Sequence, residues 1–374
     1  MKIFFPLTSY YPSQIGGVSN TVFWHIEELE KNNINCSIVC TNIGIKNNEV
    51  SLNEFNKTKY GNIYYGKGGM FDLKILFKSF SQVKDNEVIH TNALFDPIGM
   101  LTFFFGKIFY PSKLYICSVR GAISDTALSY SPVKKKIALF IYRKLNKNVI
   151  FHATSDDEFK NISKVLKTDN KIYLPNYMKT ATRIENINVK KKLVFLGRIH
   201  PIKRIENLIK AVRMSDNFVK NGFELDIIGT YEERHSWYFS KLKKLTFESN
   251  LEDKINFLGH IQGKEKEIKI AESYALILPS DSENFGNVVI ESLNQGTPVI
   301  ASNKTPWSIL PEFEAGFFVG NSPSSLSITI NDFLSISSEK YLNYRKNAID
   351  LVDQKYDIKK NIFKWIKKYQ QELN

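Results

Sequence analysis

The chain has 374 residues, of which 43% are hydrophobic and 24% are charged, with three cysteines and a formal net charge of +13. This length exceeds what one hydrophobic core usually supports, so two domains of about 150–200 residues are expected. Three cysteines exclude a disulfide framework, and Cys36 and Cys40 in an apolar stretch are typical of buried thiols in a reducing cytosol.

The first half alternates short apolar runs with amphipathic segments, which is typical of a parallel sheet covered by helices. The N-terminus, MKIFFPLTSYYPSQIGG, is too short and too interrupted for a signal peptide. The most apolar stretch, 93–110, falls short of the ~18 charge-poor residues of a membrane-spanning helix. The strands expected here are Lys2–Leu7, Cys36–Thr41, Val88–Thr91, Leu114–Val119 and Val149–Ala153.

A proline followed by polar and charged residues at 174–192 predicts a linker, after which the pattern restarts. Apolar spacing predicts helices over 205–212 and 287–295, the latter stopped by Gly296, and an amphipathic basic helix over 357–373. The sequence therefore predicts an α/β fold of two doubly wound units, which bind ligands at the carboxyl ends of their strands. The strands expected in the second unit lie within 192–198, 223–229, 254–260, 274–280 and 297–302.

Loops at strand ends carry the candidate ligand contacts. Gly16 and Gly17 follow the first strand, where bare backbone N–H groups can approach a phosphate or a sugar, although an ordinary tight turn fits equally well. Arg198 and Lys203 follow the strand at 192 and can converge on one diphosphate, or remain a solvated pair of surface cations.

Two further loops lie in the second unit. Backbone groups around His260 and Ile261 can hydrogen-bond a base edge. Glu283 lies in the loop after a strand, and Glu291 lies on the following helix, on the same face as Asn287. A ligand across that helix N-terminus can meet Glu283 at one end and Glu291 at the other, with amide donors between.

These motifs together resemble the retaining GT-B glycosyltransferases of family four, the glycosyl transferases group 1. The resemblance rests on SENFG, which contains Glu283, at the start of the Glu283-x₇-Glu291 spacing, on QGTPVIAS after it, on GRIHPIK, and on YYPSQIGGVSNTVFWHIEELEK. VIHTNALFDP, ICSVRGAISDTALSYSPVKKKIAL, HATSDDE and LPN are similar to its bacterial surface-polysaccharide branch. The resemblance implies two Rossmann-like domains facing across a cleft. An acceptor-binding domain would span 1–176, with helix 356–374 packed back on it, and a donor-binding domain would span 177–355.

The family also implies a role for each motif residue. Arg198 and Lys203 would bind the donor diphosphate, Glu291 the ribose hydroxyls, and Glu283 the transferred sugar near its anomeric centre. The sequence has no D-x-D motif, so protein cations rather than a metal would neutralise the leaving group. No cofactor is expected beyond the UDP- or GDP-sugar substrate. The further donor contacts would be Gly16, Gly17, His260, Ile261, Asn284, Phe285, Gly286 and Asn287.

The sequence departs from the family at two positions. Many members have a histidine where this chain has Arg120, which would bind an acceptor phosphate, stabilise charge in catalysis, or simply pair with a carboxylate. Arg204 replaces the glycine usual after the donor lysine, which puts the geometry of that turn in doubt. His90 and His152, at strand ends, are expected to be structural, and His260 to be a loop residue near the base.

The function predicted is transfer of a hexosyl group, with retention, from a nucleotide-diphosphate sugar to a lipid-linked or oligosaccharide acceptor in bacterial surface polysaccharide synthesis (O-antigen, capsule or exopolysaccharide). A GT-B sugar-nucleotide epimerase shares the fold but lacks the GRIHPIK and SENFG combination. A non-catalytic glycan-binding relative stays open. A Rossmann oxidoreductase is disfavoured, because no G-x-G-x-x-G turn follows the first strand.

The net charge favours a polyanionic partner such as nucleic acid, anionic lipid or a phosphorylated substrate, although a composition rich in Lys and Asn explains part of it without any function. Nucleic acid is not expected, because the sequence has no RNP-type motif, zinc-ligand spacing or sustained basic DNA-reading helix. Six Lys or Arg and no acidic residue lie between Thr126 and Ser155. We expect a helix there with Ile137, Ile141 and Leu145 packed on one face, and a basic rim that is either solvated or attracted to an anionic leaflet. The second alternative predicts a cytoplasmic enzyme, peripheral on the inner membrane, with Arg120 near a lipid-linked acceptor.

Overall fold

The computed structural model describes residues 1–13, 16–45, 49–129 and 131–373, and the chain divides into two compact units. The first comprises Met1–Lys179 and Ile358–Asn374, and the second comprises Thr180–Asp357. The boundary expected after residue 176 thus lies three residues too early. The returning segment begins at 358 rather than 356, and its last residue, Asn374, lies outside the described residues.

Within the described residues, the first unit has an eight-stranded sheet in the order β3-β4-β2-β1-β5-β6-β7-β8. All neighbours are parallel except β3 and β4, an antiparallel hairpin that the apolar pattern did not predict. Strand β3 lies at the edge and is only partly buried, so its sequence FNKT has no apolar run. The strands are β1 (Lys2–Pro6), β2 (Asn35–Thr41), β3 (Phe55–Thr58), β4 (Gly61–Gly66), β5 (Val88–Asn92), β6 (Leu114–Ser118), β7 (Val149–Ala153) and β8 (Lys171–Tyr173).

Helices cover both faces of this sheet, and several begin at side chains that cap their free N–H groups. Asp72 accepts hydrogen bonds from Lys74 N and Ile75 N, and Ser155 accepts one from Glu158 N. The helices are α1 (Gly16–Lys31), α2 (Leu73–Asp85), α3 (Pro97–Phe109), α4 (Asp125–Ser129), α5 (Pro132–Leu145), α6 (Asp156–Leu166) and, after the second unit, α15 (Ile358–Leu373).

The second unit has a six-stranded, all-parallel sheet in the order β11-β10-β9-β12-β13-β14. The prediction of two doubly wound α/β units is confirmed. Chain order runs outward in one direction from β9 and in the other from β12, so the topological switch point lies between these two neighbours. The strands are β9 (Lys192–Leu196), β10 (Glu224–Ile228), β11 (Ile255–Gly259), β12 (Ala275–Leu278), β13 (Val299–Ser302) and β14 (Gly316–Val319).

Helices α7 to α12 connect these strands, and α13 and α14 follow the last of them. Short 3₁₀ turns at Pro201–Lys203 and Glu233–His235 precede two of these helices. The helices are α7 (Ile205–Met214), α8 (Asp216–Lys220), α9 (Ser236–Glu248), α10 (Gly263–Glu272), α11 (Asn287–Asn294), α12 (Ile309–Glu312), α13 (Pro323–Phe333) and α14 (Ser338–Lys355).

The returning helix α15 completes the core of the first unit. Successive side chains of a strand point to opposite faces, so Ile3 and Phe5 of β1 lie in one apolar cluster and Phe4 in another. Helix α15 packs beside α1 and buries Ile362 and Trp365 in the cluster that holds Ile3. The first unit is therefore built from both ends of the chain.

Helix α5 corrects one prediction. The face expected to pack, with Ile137, Ile141 and Leu145, is not the buried one: Ile137 is 58% exposed and the other two are half-buried. Helix α5 instead buries Ala138, Leu139 and Tyr142. Tyr142 decides the orientation, because its ring stacks on Phe103 and its hydroxyl donates to Leu94 O at 2.8 Å.

Candidate donor site in the second unit

The donor-site candidates flank the switch point of the second sheet. Strands β9 and β12 are hydrogen-bonded neighbours, and their carboxyl ends lead into the loops 197–204 and 279–286. Parallel α/β sheets bind ligands at this place, because the loops diverge there and leave a crevice.

Lys203 and Glu283 form an ion pair across these two loops. Lys203 ends the 3₁₀ turn Pro201–Lys203, and its Nζ bonds Glu283 Oε1. The hydroxyl of Ser280 donates to the same Oε1 at 2.7 Å. The two charged side chains are 15% and 12% exposed. Lys203, predicted to bind the donor diphosphate, and Glu283, predicted to bind the transferred sugar, therefore lie in contact.

Arg198 lies apart from that pair. Its side chain is 70% exposed and its Nη1 lies 3.2 Å from Glu232 Oε1. The two cations predicted to meet one diphosphate thus each have a different carboxylate partner in this structure. Glu232 was missed in the sequence, since a loop glutamate 34 residues away gives no signal of that contact.

The turn at Arg204 keeps the conformation that glycine favours. Arg204 has a φ of +51°, in the left-handed region. Its guanidinium bonds Asp281 through Nε, and Asn321 Nδ2 donates to Asp281 Oδ1 at 2.7 Å. The backbone N–H of Asp281 donates to Ile202 O at 2.8 Å, so the two loops are held together by side-chain and main-chain bonds.

The Phe285-Gly286 turn is held in place by Trp307. Phe285 is 5% exposed and packs on Trp307, whose Nε1 donates to Phe285 O at 2.5 Å. Gly286 has a φ of +79° and directly precedes α11, which begins at Asn287. The phenyl ring is thus a packing group, and Asn284, Gly286 and Asn287 lie where α11 begins.

Glu291 lies on α11 and forms an ion pair with Lys266 of α10, with Nζ 3.0 Å from Oε2. His260 and Ile261 lie in the loop between β11 and α10, and His260 is exposed. Sequence reasoning missed Lys266, because four of the five residues 263–267 after that loop are charged and none stands out.

In the first unit, Gly16 and Gly17 are the first two residues of α1 rather than a turn that precedes the helix. The residues before them, Gln14 and Ile15, lie outside the described residues.

Arg120 follows β6 with a φ of +56°. Its Nε and Nη2 donate to Asn92 Oδ1 at 3.2 and 3.0 Å, and Nη1 donates to Asn176 Oδ1. Burial lowers the pKa of Arg120 to about 10, which still leaves it charged at neutral pH. Among the described residues no carboxylate lies within ion-pair distance, so the carboxylate pairing considered from the sequence is not found. Glu158, whose charge raises the pKa of Arg120, accepts instead from the backbone N–H groups of Gly121 and Thr154.

His90 and His152 belong to a buried hydrogen-bonded network. Ser118 Oγ lies 2.8 Å from His90 Nε2 and 2.7 Å from His152 Nδ1. Tyr369 of α15 completes the network, with its hydroxyl 2.7 Å from His90 Nδ1 and 2.9 Å from His25 Nε2. Burial lowers the pKa of each histidine. All three imidazoles are therefore neutral and occupied by protein partners.

Two absences hold for the part of the chain that the structure describes. No group of three or more His, Cys, Asp or Glu side chains there could hold a metal ion. No described helix combines the length and the apolar character that crossing a membrane requires.

With this geometry in place, comparison with known proteins defines the class. HepE of Anabaena, solved in complex with UDP and glucose, superposes with a TM-score of 0.75 at 14% identity, over 99% of each chain. The fold is that of the GT-B glycosyltransferases. Residues 178–351 match the family model described as Glycosyl transferases group 1. The match covers nearly all of the second unit, and the predicted similarity of this unit to the glycosyl transferases group 1 is confirmed.

Two curated relatives are similar in sequence. An uncharacterized glycosyltransferase of Methanocaldococcus jannaschii is 24% identical over all of this chain and 98% of its own length. The O-antigen chain mannosyltransferase RfbU of Salmonella typhimurium is 36% identical, over only 18% of this chain and 19% of its own length.

Proposed function

We propose that this glycosyltransferase moves a hexosyl group from a UDP- or GDP-sugar, with retention of anomeric configuration, to an acceptor of bacterial surface polysaccharide. The observation that carries the proposal is the Lys203–Glu283 pair at the carboxyl ends of neighbouring strands β9 and β12. It lies in the unit that matches the family. The acceptor class is supported by the Salmonella relative, whose name is that of an O-antigen mannosyltransferase.

The residues fit the charges that this reaction creates. The acceptor oxygen bonds to the anomeric carbon while the bond from that carbon to the diphosphate breaks, and the acceptor proton passes to the departing phosphate. Negative charge grows on the diphosphate, and the ammonium of Lys203 stabilises it. The Glu283 carboxylate then accepts hydrogen bonds from hydroxyls of the transferred sugar. Both groups leave an ion pair in which each is already desolvated and oriented.

A direct assay tests the proposal. The full chain is incubated with UDP- and GDP-sugars, with and without lipid-linked or oligosaccharide acceptors, and released UDP or GDP is measured. Acceptor-dependent release with an α-configured donor giving an α-linked product supports retaining transfer. An epimerase would instead change the sugar without an acceptor, and a glycan-binding relative would release no nucleotide.

The proposal extends to contact of the first unit with an anionic membrane. Helices α2, α3 and α5 pack in sequence, α2 on α3 and α3 on α5, on one side of the sheet. They leave large apolar side chains more than half exposed, which we call the apolar surface. Single exposed apolar residues are ordinary, but this many on or beside helices that pack side by side favour an interaction site. Its members are Phe71, Leu73, Phe77, Ile108, Phe109, Val133, Ile137 and Phe140, together with the half-exposed Phe105.

Basic residues border this apolar surface on α5. Lys134, Lys136, Arg143 and Lys144 are exposed on the same helix as Ile137 and Phe140. A basic residue near an anionic leaflet contributes about 1 kcal/mol of attraction, and inserted apolar side chains add to it. We therefore assign the surface to anionic lipid, which would bring a lipid-linked diphosphate acceptor to the first unit, with Arg120 as the candidate for its phosphates.

Co-sedimentation with vesicles of rising anionic-lipid content, at low and high salt, tests this contact. We expect salt-sensitive binding that weakens when Lys134, Lys135 and Lys136 are changed to Gln or when Ile137 and Phe140 are changed to Ser. The control is Leu342→Ser, a residue 63% exposed on α14 of the second unit. Indifference to anionic lipid at low salt, or self-association through Ile137 and Phe140 without lipid, would contradict the membrane assignment.

A further inference from the structure

Lys266 contacts the carboxylate to which we assign the donor ribose. Its Nζ lies 3.0 Å from Glu291 Oε2, and the two side chains are 24% and 25% exposed. Lys266 belongs to the first turn of α10, directly after the loop 260–262, and Glu291 belongs to α11. The pair therefore joins α10, which follows the loop predicted to contact the base, to α11, which carries the predicted ribose contact Glu291.

This pair differs from the solvated ion pairs elsewhere in the second unit. Lys220–Asp216 and Lys244–Glu248 each lie within a single helix, and all four side chains are more than half exposed. Such pairs contribute at most about 1 kcal/mol to stability. Lys266 and Glu291 are three-quarters buried and belong to different helices that pack together. The contact therefore fixes the orientation of the Glu291 carboxylate in addition to pairing its charge.

The chemistry of the two groups allows a ligand to join them without breaking the pair. Each carboxylate oxygen accepts two hydrogen bonds, so Glu291 can keep Lys266 and still accept from two vicinal hydroxyls. The ammonium has three N–H donors and can give one of them to a hydroxyl oxygen. Hydrogen bonds in which one partner is ionised are shorter and about twice as strong as neutral ones.

We propose that Lys266 is a positioning residue for nucleotide recognition: it holds the Glu291 carboxylate so that it accepts both ribose hydroxyls, and it thereby sets the preference for ribo- over 2′-deoxyribonucleotides. The inference rests on the donor site proposed above and adds a residue to it. It concerns binding of the nucleotide rather than the chemical step, since the ribose is remote from the bond that breaks.

Calorimetric titration of the full chain with UDP, dUDP, GDP and dGDP tests the inference without any need for turnover. Of UDP and GDP, we expect the one that binds the wild type more tightly to bind at least about tenfold more tightly than its 2′-deoxy form. Such a ratio corresponds to the loss of one hydrogen bond to a charged group. Lys266→Met should reduce that ratio to about threefold or less, Lys266→Arg should restore most of it, and Glu291→Gln should abolish it.

The matched control is Lys264→Met, two residues away on the same helix and exposed, which should leave the ratio unchanged. Thermal unfolding identifies any variant that does not fold, and Lys266→Gln then replaces Lys266→Met. A ratio that survives both Lys266→Met and Lys266→Gln but is lost in Glu291→Gln overturns the role of Lys266 and leaves the donor site standing. A wild type that binds none of the four nucleotides overturns the donor site and this inference with it.

Discussion

Both units have polar groups in or near the carboxyl-terminal parts of their parallel strands, but these groups have different partners in the two units. In the first unit, the strand residues His90, Ser118 and His152 point into the interior and are bonded to one another and to Tyr369. In the second unit, Lys203–Glu283 and Lys266–Glu291 are ion pairs that retain partial access to solvent. The histidine network of the first unit is neutral and buried, whereas the ion pairs of the second unit are charged and reach solvent.

The difference shows what each arrangement can do. A buried neutral network in which each group has a protein partner specifies how segments pack, and here it fixes α15 to the first unit. An ion pair that a ligand can reach can exchange one partner for a ligand group, because that group satisfies the freed charge in its place. The charged groups of the second unit can therefore exchange a protein partner for a ligand, whereas the buried polar groups of the first unit cannot.

The largest difference between the two units is expected at low pH. Burial lowers the pKa of His25 to about 3 and lowers the pKa of His90 and His152 well below the ordinary value, and Arg120 adds to each shift. Below pH 6.5 the unfolded chain protonates these imidazoles and the folded unit does not, so stability is fully present above that pH and is lost as the pH falls. Each histidine removes up to about 1.4 kcal/mol per pH unit.

Hydrogen exchange of the intact chain between pH 7.5 and 5, corrected for intrinsic exchange rates, measures the effect in each unit. We expect peptides from β5, β6 and β7 to lose protection before those from β9, β10 and β12. Equal loss in the two sheets, or full protection of the first sheet at pH 5, would show that the histidine network does not control acid stability.

Removal of the donor-site cations should have the next largest effect. Lys203→Ala and Arg198→Ala should each lower kcat/KM about 10²- to 10³-fold, because both are assigned to the charge of the leaving diphosphate. The control for Arg198 is Arg234→Ala, since Arg234 is equally exposed and pairs with the same Glu232. Near-wild-type turnover in both cation variants would remove the diphosphate assignment. Loss in Lys203→Ala alone would restrict it to the ion-paired lysine.

Tyr369→Phe should destabilise the buried histidine network of the first unit and leave the second unit unchanged. It removes the hydroxyl shared by His25 and His90, which leaves buried ring nitrogens without a partner at a cost of about 1–3 kcal/mol. Urea unfolding should show the first unit destabilised and the second unchanged. Phe363→Ala, on the same helix but 57% exposed, should change stability by less than about 0.5 kcal/mol. Equal effects of the two substitutions would contradict the role of the hydroxyl.

The smallest expected effect is that of metal removal. If Lys203 and Arg198 neutralise the leaving diphosphate, EDTA should leave most of the transferase activity intact. Activity that disappears on chelation and returns with Mn²⁺ or Mg²⁺ would point to a different donor site.

Local sequence determined most of the strands in both sheets. Val149–Ala153 was predicted to the residue, and β1, β2, β5, β6 and the five strands β9 to β13 differ by one or two residues at most ends. A strand buried on both faces is an uninterrupted apolar run, which the sequence shows directly. Strands β3, β4, β8 and β14 were missed, and three of them, β3, β8 and β14, lie at sheet edges and are only partly buried.

The sequence by itself thus determined the two-unit α/β fold, the family of the second unit and the donor candidates Lys203, Glu283 and Glu291, because these depend on local apolar patterns and on short motifs. Only the tertiary structure decided which partner each charged or polar group takes. Lys203 with Glu283, Lys266 with Glu291, and Tyr369 with His25 and His90 join residues 25 to 344 positions apart. Such contacts follow from how strands and helices are brought together, and nothing in the local sequence specifies them.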